Sequence, residues 1–141
     1  SAEFRASAGE VNRLADRIFT ASRSLGLTHP YIGVDQVVDF IDAPILQVLS
    51  VERLKTRIPF VIQLPDSIMA DKEEAVFYRL KLCDFVVLTD EMPGDGYWPY
   101  DKQMRRLYPR LKEWCDANLQ PVETFALFDR RMTLYQRHPP R

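Results

Sequence analysis

The chain has 141 residues, 46% of them apolar, with a formal net charge of −1 and only two cysteines and two histidines. That length suits one domain, and the apolar share suffices for a core without disulfide or metal staples. The near-neutral balance excludes an electrostatic case for nucleic acid or for an anionic membrane surface, and no run of about 18 apolar residues is present that could insert into a bilayer.

The opening "SAEFRASAGE" is small and polar, and residues 1–9 are expected as a disordered segment or one foreign to the natural protein. From Glu10 the apolar residues Val11, Leu14, Ala15, Ile18, Phe19 and Leu25 fall at helical spacing, with Arg13, Asp16, Arg17 and Arg23 on the wet side. Gly26 closes that helix as a C-cap. "YIGVD" follows as a first strand. "QVVDFI" reads either as its continuation or as a helical turn. Asp42 can then cap a helix over residues 43–55, with Pro44 tolerated in its first turn. The β-branched run "IPFVIQL", residues 58–64, predicts a buried second strand that Pro65 ends. "MADKEEAVFYRLKLC" predicts a helix, and "DFVVLT", residues 84–89, a third buried strand. Next comes "TDEMPGDGYWPYDKQM", a loop crowded with acidic residues, prolines, glycines and aromatics. A helix over residues 101–119 shows Met104, Leu107, Leu111, Trp114, Cys115 and Leu119 as its inner face, and Pro109 predicts a kink or a break in it. "VETFALF" and "RMTLYQR" are too close in sequence to be anything but an antiparallel hairpin.

Helices alternating with strands imply right-handed crossovers and a parallel sheet. The expected fold is therefore α/β. It is a three-layer α/β/α, Rossmann-like sheet, mostly parallel, with a C-terminal antiparallel hairpin at its border. One domain covers residues 10–138, and residues 139–141 are a tail.

In open parallel sheets, ligands sit beyond the carboxyl ends of the strands. The first strand-to-helix turn, "GVDQVVDFIDAP", has no glycine cradle for a phosphate, which argues against a nucleotide or P-loop site, and no cofactor is expected. There is no GxSxG elbow. His29 lies before the first strand and His138 in the tail, so neither is placed to activate a nucleophile at the strand tips. Cys83 and Cys115 lack CxxC spacing, fall on apolar-facing positions, and are expected as buried free thiols. The carboxylates Asp35, Asp66, Asp90, Glu91, Asp95 and Asp101 could converge at the tips, although Asp66 and Asp101 are also placed to cap helices. Tyr97, Trp98 and Tyr100 put three rings within four residues, more than a solvated loop needs. They form either a cover over the sheet edge or an exposed docking surface. Trp98 is expected to be partly buried, with Asp95 and Gly96 at the loop's tip. No catalytic or metal-ligating set emerges. The candidate ligand or docking surface is Asp35, Asp66, Asp90, Glu91, Asp95, Tyr97, Trp98 and Tyr100.

Three segments, "GLTHPYIGVDQVVDFI", "LKLCDFVVLTDEMPGDGYWPYDKQM" and "FALFDRRMTLYQR", give the chain a family likeness. It resembles the soluble C-terminal domain that follows the membrane helices of bacterial multi-spanning glycosyltransferase-like proteins, relatives of the dolichyl-phosphate-mannose–protein mannosyltransferases. The likeness runs from about Glu10 to Arg137 and includes the LYxR-like tetrapeptide at Leu134 to Arg137. In that family the catalytic carboxylates lie between membrane helices, so no catalytic residue carries over. The resemblance implies a non-catalytic accessory role, the transmembrane portion of the same parent chain as partner, and a place on the periplasmic side of the membrane. Two other expectations stand beside it. One is a free-standing domain binding a small molecule or cation at the strand tips. The other is a module that dimerises through the last strand, residues 132–136, as an exposed sheet border.

Overall fold

The computed structural model describes residues 2–35, 52, 60–64, 72–91, 101–127 and 130–139. The first helix, α1, spans Ala2–Ser24. It starts eight residues earlier than its apolar spacing suggests, so residues 2–9 are helical, and Ser7 is buried. Its C-terminus is closed as expected. Gly26 has φ +70°, the Leu27 N–H donates to the Ser22 carbonyl at 2.8 Å, and the Gly26 N–H donates to the Arg23 carbonyl at 3.1 Å. That nested pair is a Schellman motif, and only a residue without Cβ adopts its left-handed turn at no cost.

The remaining elements are β1 (Tyr31–Asp35), β2 (Phe60–Leu64), α2 (Glu73–Leu82), β3 (Phe85–Thr89), α3 (Asp101–Asn118), β4 (Leu119–Leu127) and β5 (Arg130–Arg137). The helix expected over residues 43–55 and the ambiguous "QVVDFI" lie outside the described residues, apart from Glu52, which is helical and exposed. α2 carries Glu73 and Glu74 in its first turn and Arg79 and Lys81 in its last, the arrangement that complements a helix dipole. α3 is one helix across Pro109, where a break was one of the expectations. Pro109 is exposed, so the carbonyl deprived of its N–H partner can turn to water. The chain passes from α3 into β4 without a loop, and the Asn118 side chain satisfies the Trp114 carbonyl at 2.9 Å.

The sheet order is β2-β1-β3-β5-β4. β1 pairs parallel with β2 and β3, while β5 pairs antiparallel with β3 and β4. Taken together the antiparallel registers are longer than the parallel ones, which corrects the expectation of a mostly parallel sheet: the domain is α/β with a mixed sheet. The hairpin also enters the other way round. β5 lies inside the sheet with Met132, Thr133, Leu134 and Tyr135 all buried, so dimerisation through a free last strand is ruled out. β4 takes that border, and it tolerates Pro121 because a border strand can lack a ladder donor and a register shift falls between Pro121 and Glu123.

Alternation along the strands divides the core. Ile32, Val34, Phe85, Val87, Met132 and Leu134 pack with α1 through Leu14, Ile18 and Phe19. Val86, Leu88 and Tyr135 pack with α2 and α3 through Val76, Leu80, Leu107, Leu111 and Cys115. β3 is buried at all five residues, as a central strand covered on both faces must be.

Candidate functional site

The chain leaves β1 for β2 on one side, and β3 lies on the other side of β1. The carboxyl ends of β1 and β3 therefore flank the point where strand order reverses, the place ligands favour in open sheets. Asp35 ends β1 there and is 1% exposed. The parallel register of β1 and β3 runs only from Ile32/Phe85 to Val34/Val87. Beyond it the Asp35 carboxylate accepts the Thr89 backbone N–H, so a side chain completes the rung the ladder lacks. The Thr89 carbonyl accepts the Tyr108 hydroxyl of α3 at 2.5 Å. Burial pushes the Tyr108 hydroxyl pKa up, and the nearby Asp35 and Asp90 carboxylates push it further in the same direction. Tyr108 is thus a donor that keeps its proton.

Asp90 continues the same seam. Its N–H donates to the Arg131 carbonyl at 2.9 Å, and its carboxylate accepts the Thr133 hydroxyl of β5 at 2.5 Å. The Thr89 hydroxyl contacts the Glu91 carbonyl at 3.3 Å, and Glu91 itself is exposed. The structure thus brings Asp35 and Asp90 to one end of the sheet and gives each a polar partner from a neighbouring strand. Asp66, Asp95, Tyr97, Trp98 and Tyr100 lie outside the described residues, and so does the expected burial of Trp98. No group of three or more potential metal ligands occurs among the described residues. Cys83 and Cys115 are buried free thiols, as expected, with pKa values pushed up to about 12 chiefly by desolvation. A thiol so poised is not a nucleophile at neutral pH.

Sequence reasoning missed Tyr108 and Thr133. Tyr108 falls beside the apolar stripe of α3 and Thr133 sits mid-strand, and nothing in their spacing announces a partner. It also missed a second seam at the opposite end of the sheet. There the Asp84 carboxylate accepts the Tyr31 N–H at 2.9 Å, and the Asp84 N–H donates to the Tyr31 carbonyl at 2.7 Å. The Arg137 guanidinium donates to the Lys81 carbonyl at 3.0 Å and the Cys83 carbonyl at 3.0 Å, closing the C-terminus of α2. The tetrapeptide Leu134 to Arg137 thus has a structural account. Leu134 packs under α1. Tyr135 is 1% exposed and donates its hydroxyl to Asp116 at 2.6 Å while accepting from Lys112 at 2.7 Å. Arg137 clamps the helix end.

No helix among the described residues is long and apolar enough to cross a membrane. Comparison with protein-family models, with curated proteins and with solved structures found no match.

Proposed function

We propose that this chain is a non-catalytic accessory domain of a membrane-embedded glycosyltransferase-like protein. It docks on the transmembrane portion of the same parent chain or helps it recognise an acceptor, on the periplasmic side. The observation that carries this reading is the state of the strand tips. Among the described residues, the polar groups at the ligand-favoured position, Asp35, Asp90 and Tyr108, are engaged in bonds that join β1, β3, β5 and α3. Such a seam holds a fold together and leaves chemistry to another part of the protein. The segments that resemble the C-terminal domains of that family supply the identity of the other part.

The finer description of the fold, a three-layer Rossmann-like domain, belongs to the same proposal. It is supported by the separation of the core into an α1 side and an α2–α3 side. Two tests apply. The natural reading frame is expected to encode membrane helices before this domain, and a frame encoding this chain alone would end the proposal. The membrane portion, expressed separately with this chain, is expected to co-purify with it. A second reading, a small-molecule or cation site at the tips, draws on the burial of the Asp35 carboxylate at the switch point. Titration with Mg2+, Ca2+ or Mn2+ that shifts amide signals of Asp35 and Thr89 would favour it over the accessory role.

A further inference from the structure

The exposed large apolar side chains among the described residues are Tyr78, 69% exposed, and Leu82, 42% exposed, and both lie on α2. Helical spacing puts Glu74 one turn before Tyr78 and Lys81 one turn after it on the same face. The side chains of Glu74 and Lys81 have no ion pair or hydrogen bond among the described residues, although opposite charges surround Tyr78. Glu73 on the adjoining stripe is different, because Arg110 and Arg106 of α3 hold it. Alongside runs an open groove of about 700 Å³ between α2 and α3, walled by Phe77, Tyr78, Arg110 and Trp114. Arg110 stacks over the Phe77 ring at 5.2 Å and fixes that wall.

This face is complementary to itself. If α2 lies antiparallel against α2 of a second copy, with the two-fold axis between positions 77 and 78, Glu74 meets Lys81 of the other copy. By the same symmetry Tyr78 meets the other copy's Phe77, and each contact occurs twice, as an isologous interface requires. A surface carrying charges of one sign would satisfy only one of Glu74 and Lys81, whereas a second copy satisfies both. We propose that α2 is the contact of a weak two-fold homodimer of this chain. The proposal rests on the α2 face alone and is independent of any parent protein. A ten-residue helix is only about 15 Å long, so the interface falls at the low end of the size range and the dimer forms at high protein concentration.

Sedimentation equilibrium of the 141-residue chain over a range on the order of 10 μM to 1 mM tests it. A monomer–dimer equilibrium is expected that weakens at high salt. E74K and K81E place like charges face to face and are each expected to weaken association about tenfold or more. The double variant E74K/K81E restores both pairs and is expected to recover the dimer. An equimolar mixture of the two single variants is expected to form the heterodimer. Both residues are exposed, so the variants should fold, and circular dichroism checks that they do. A chain that stays monomeric throughout the range overturns the proposal. So does a dimer indifferent to both reversals, or a double variant no better than the singles.

Discussion

A carboxylate 1% exposed at the end of a strand needs a donor, and Asp35 finds it in the Thr89 amide. Asp35→Ala leaves that buried N–H without an acceptor and is expected to cost about 1–3 kcal/mol in urea unfolding. Asp35→Asn keeps a side-chain carbonyl and should cost less. An unchanged midpoint for Asp35→Ala would show that the rung contributes nothing. The thiols make a second residue-scale prediction. Cys83 and Cys115 have folded pKa values raised from 9.0 to about 12, so the folded state favours the protonated thiol. Their contribution is fully present below about pH 9, the unfolded value, and is lost as pH rises from there toward 12. Stability of the wild type is expected to fall across that window, and to fall less in a Cys83→Ala, Cys115→Ala double variant. Ellman's reagent at pH 8 should label neither thiol until the chain is unfolded, and prompt labelling of the native protein would contradict their burial. The sequence made the thiols' burial legible because both lie on apolar-facing positions. It left Asp35 ambiguous, since a strand-tip carboxylate looks the same whether it awaits a ligand or bonds a neighbouring strand.

At the scale of elements, β4 shows how a sheet border is managed. The Ala126 N–H donates to Glu10 of α1 at 3.0 Å, and Arg13 donates to the Thr124 carbonyl at 3.0 Å while stacking over the Phe125 ring at 4.2 Å. Arg13 also pairs with Glu123. Charged side chains of a helix thereby occupy backbone groups that would otherwise invite another strand. Arg13→Ala is expected to destabilise the domain by on the order of 1 kcal/mol, measured by chemical unfolding, because a hydrogen bond to backbone and a cation–π contact are lost together. The Arg13 hydrogen bond holds the Glu10 carboxyl below the usual carboxylate range. A depressed pKa contributes above the unfolded value, about 4.5, and its contribution disappears as pH falls through the folded value. The stability gap between the wild type and Glu10→Gln should therefore narrow below about pH 4. None of this was legible locally. Val11, Leu14, Ile18 and Phe19 announce the helix, but Glu10 and Arg13 read only as its wet side until β4 is known to be the border.

For the whole molecule, the placement of β5 decides the architecture. Met132 and Leu134 fall two residues apart with Tyr135 on the opposite face, which marks a strand, and the short link to β4 marks a hairpin, so both were legible in sequence. Which arm of the hairpin docks on β3 was not legible, because that choice depends on non-local pairing along Phe85/Gln136 to Thr89/Met132. The covering of both faces is what makes the inner arm stable. Phe85 and Val87 face α1 with Met132 and Leu134, while Val86 and Leu88 face α2 and α3 with Tyr135. Opening β3 or β5 would expose both cores at once, so their amides should exchange only when the whole domain unfolds. Among the described strands β4 has a neighbour on one side only, and its outward amides, apart from the Ala126 N–H held by Glu10, are expected to open at lower cost. Native-state hydrogen exchange followed residue by residue is the measurement. The slowest amides are expected in Phe85–Thr89 and in Met132 to Tyr135, with a common denaturant dependence, and the outward amides of β4 should exchange faster. If the amides of β5 instead exchanged as readily as those of β4, the hairpin would be opening as a unit away from β3. The antiparallel half of the sheet would then be an appendage to a parallel core, and the interior position of β5 would carry little of the domain's stability.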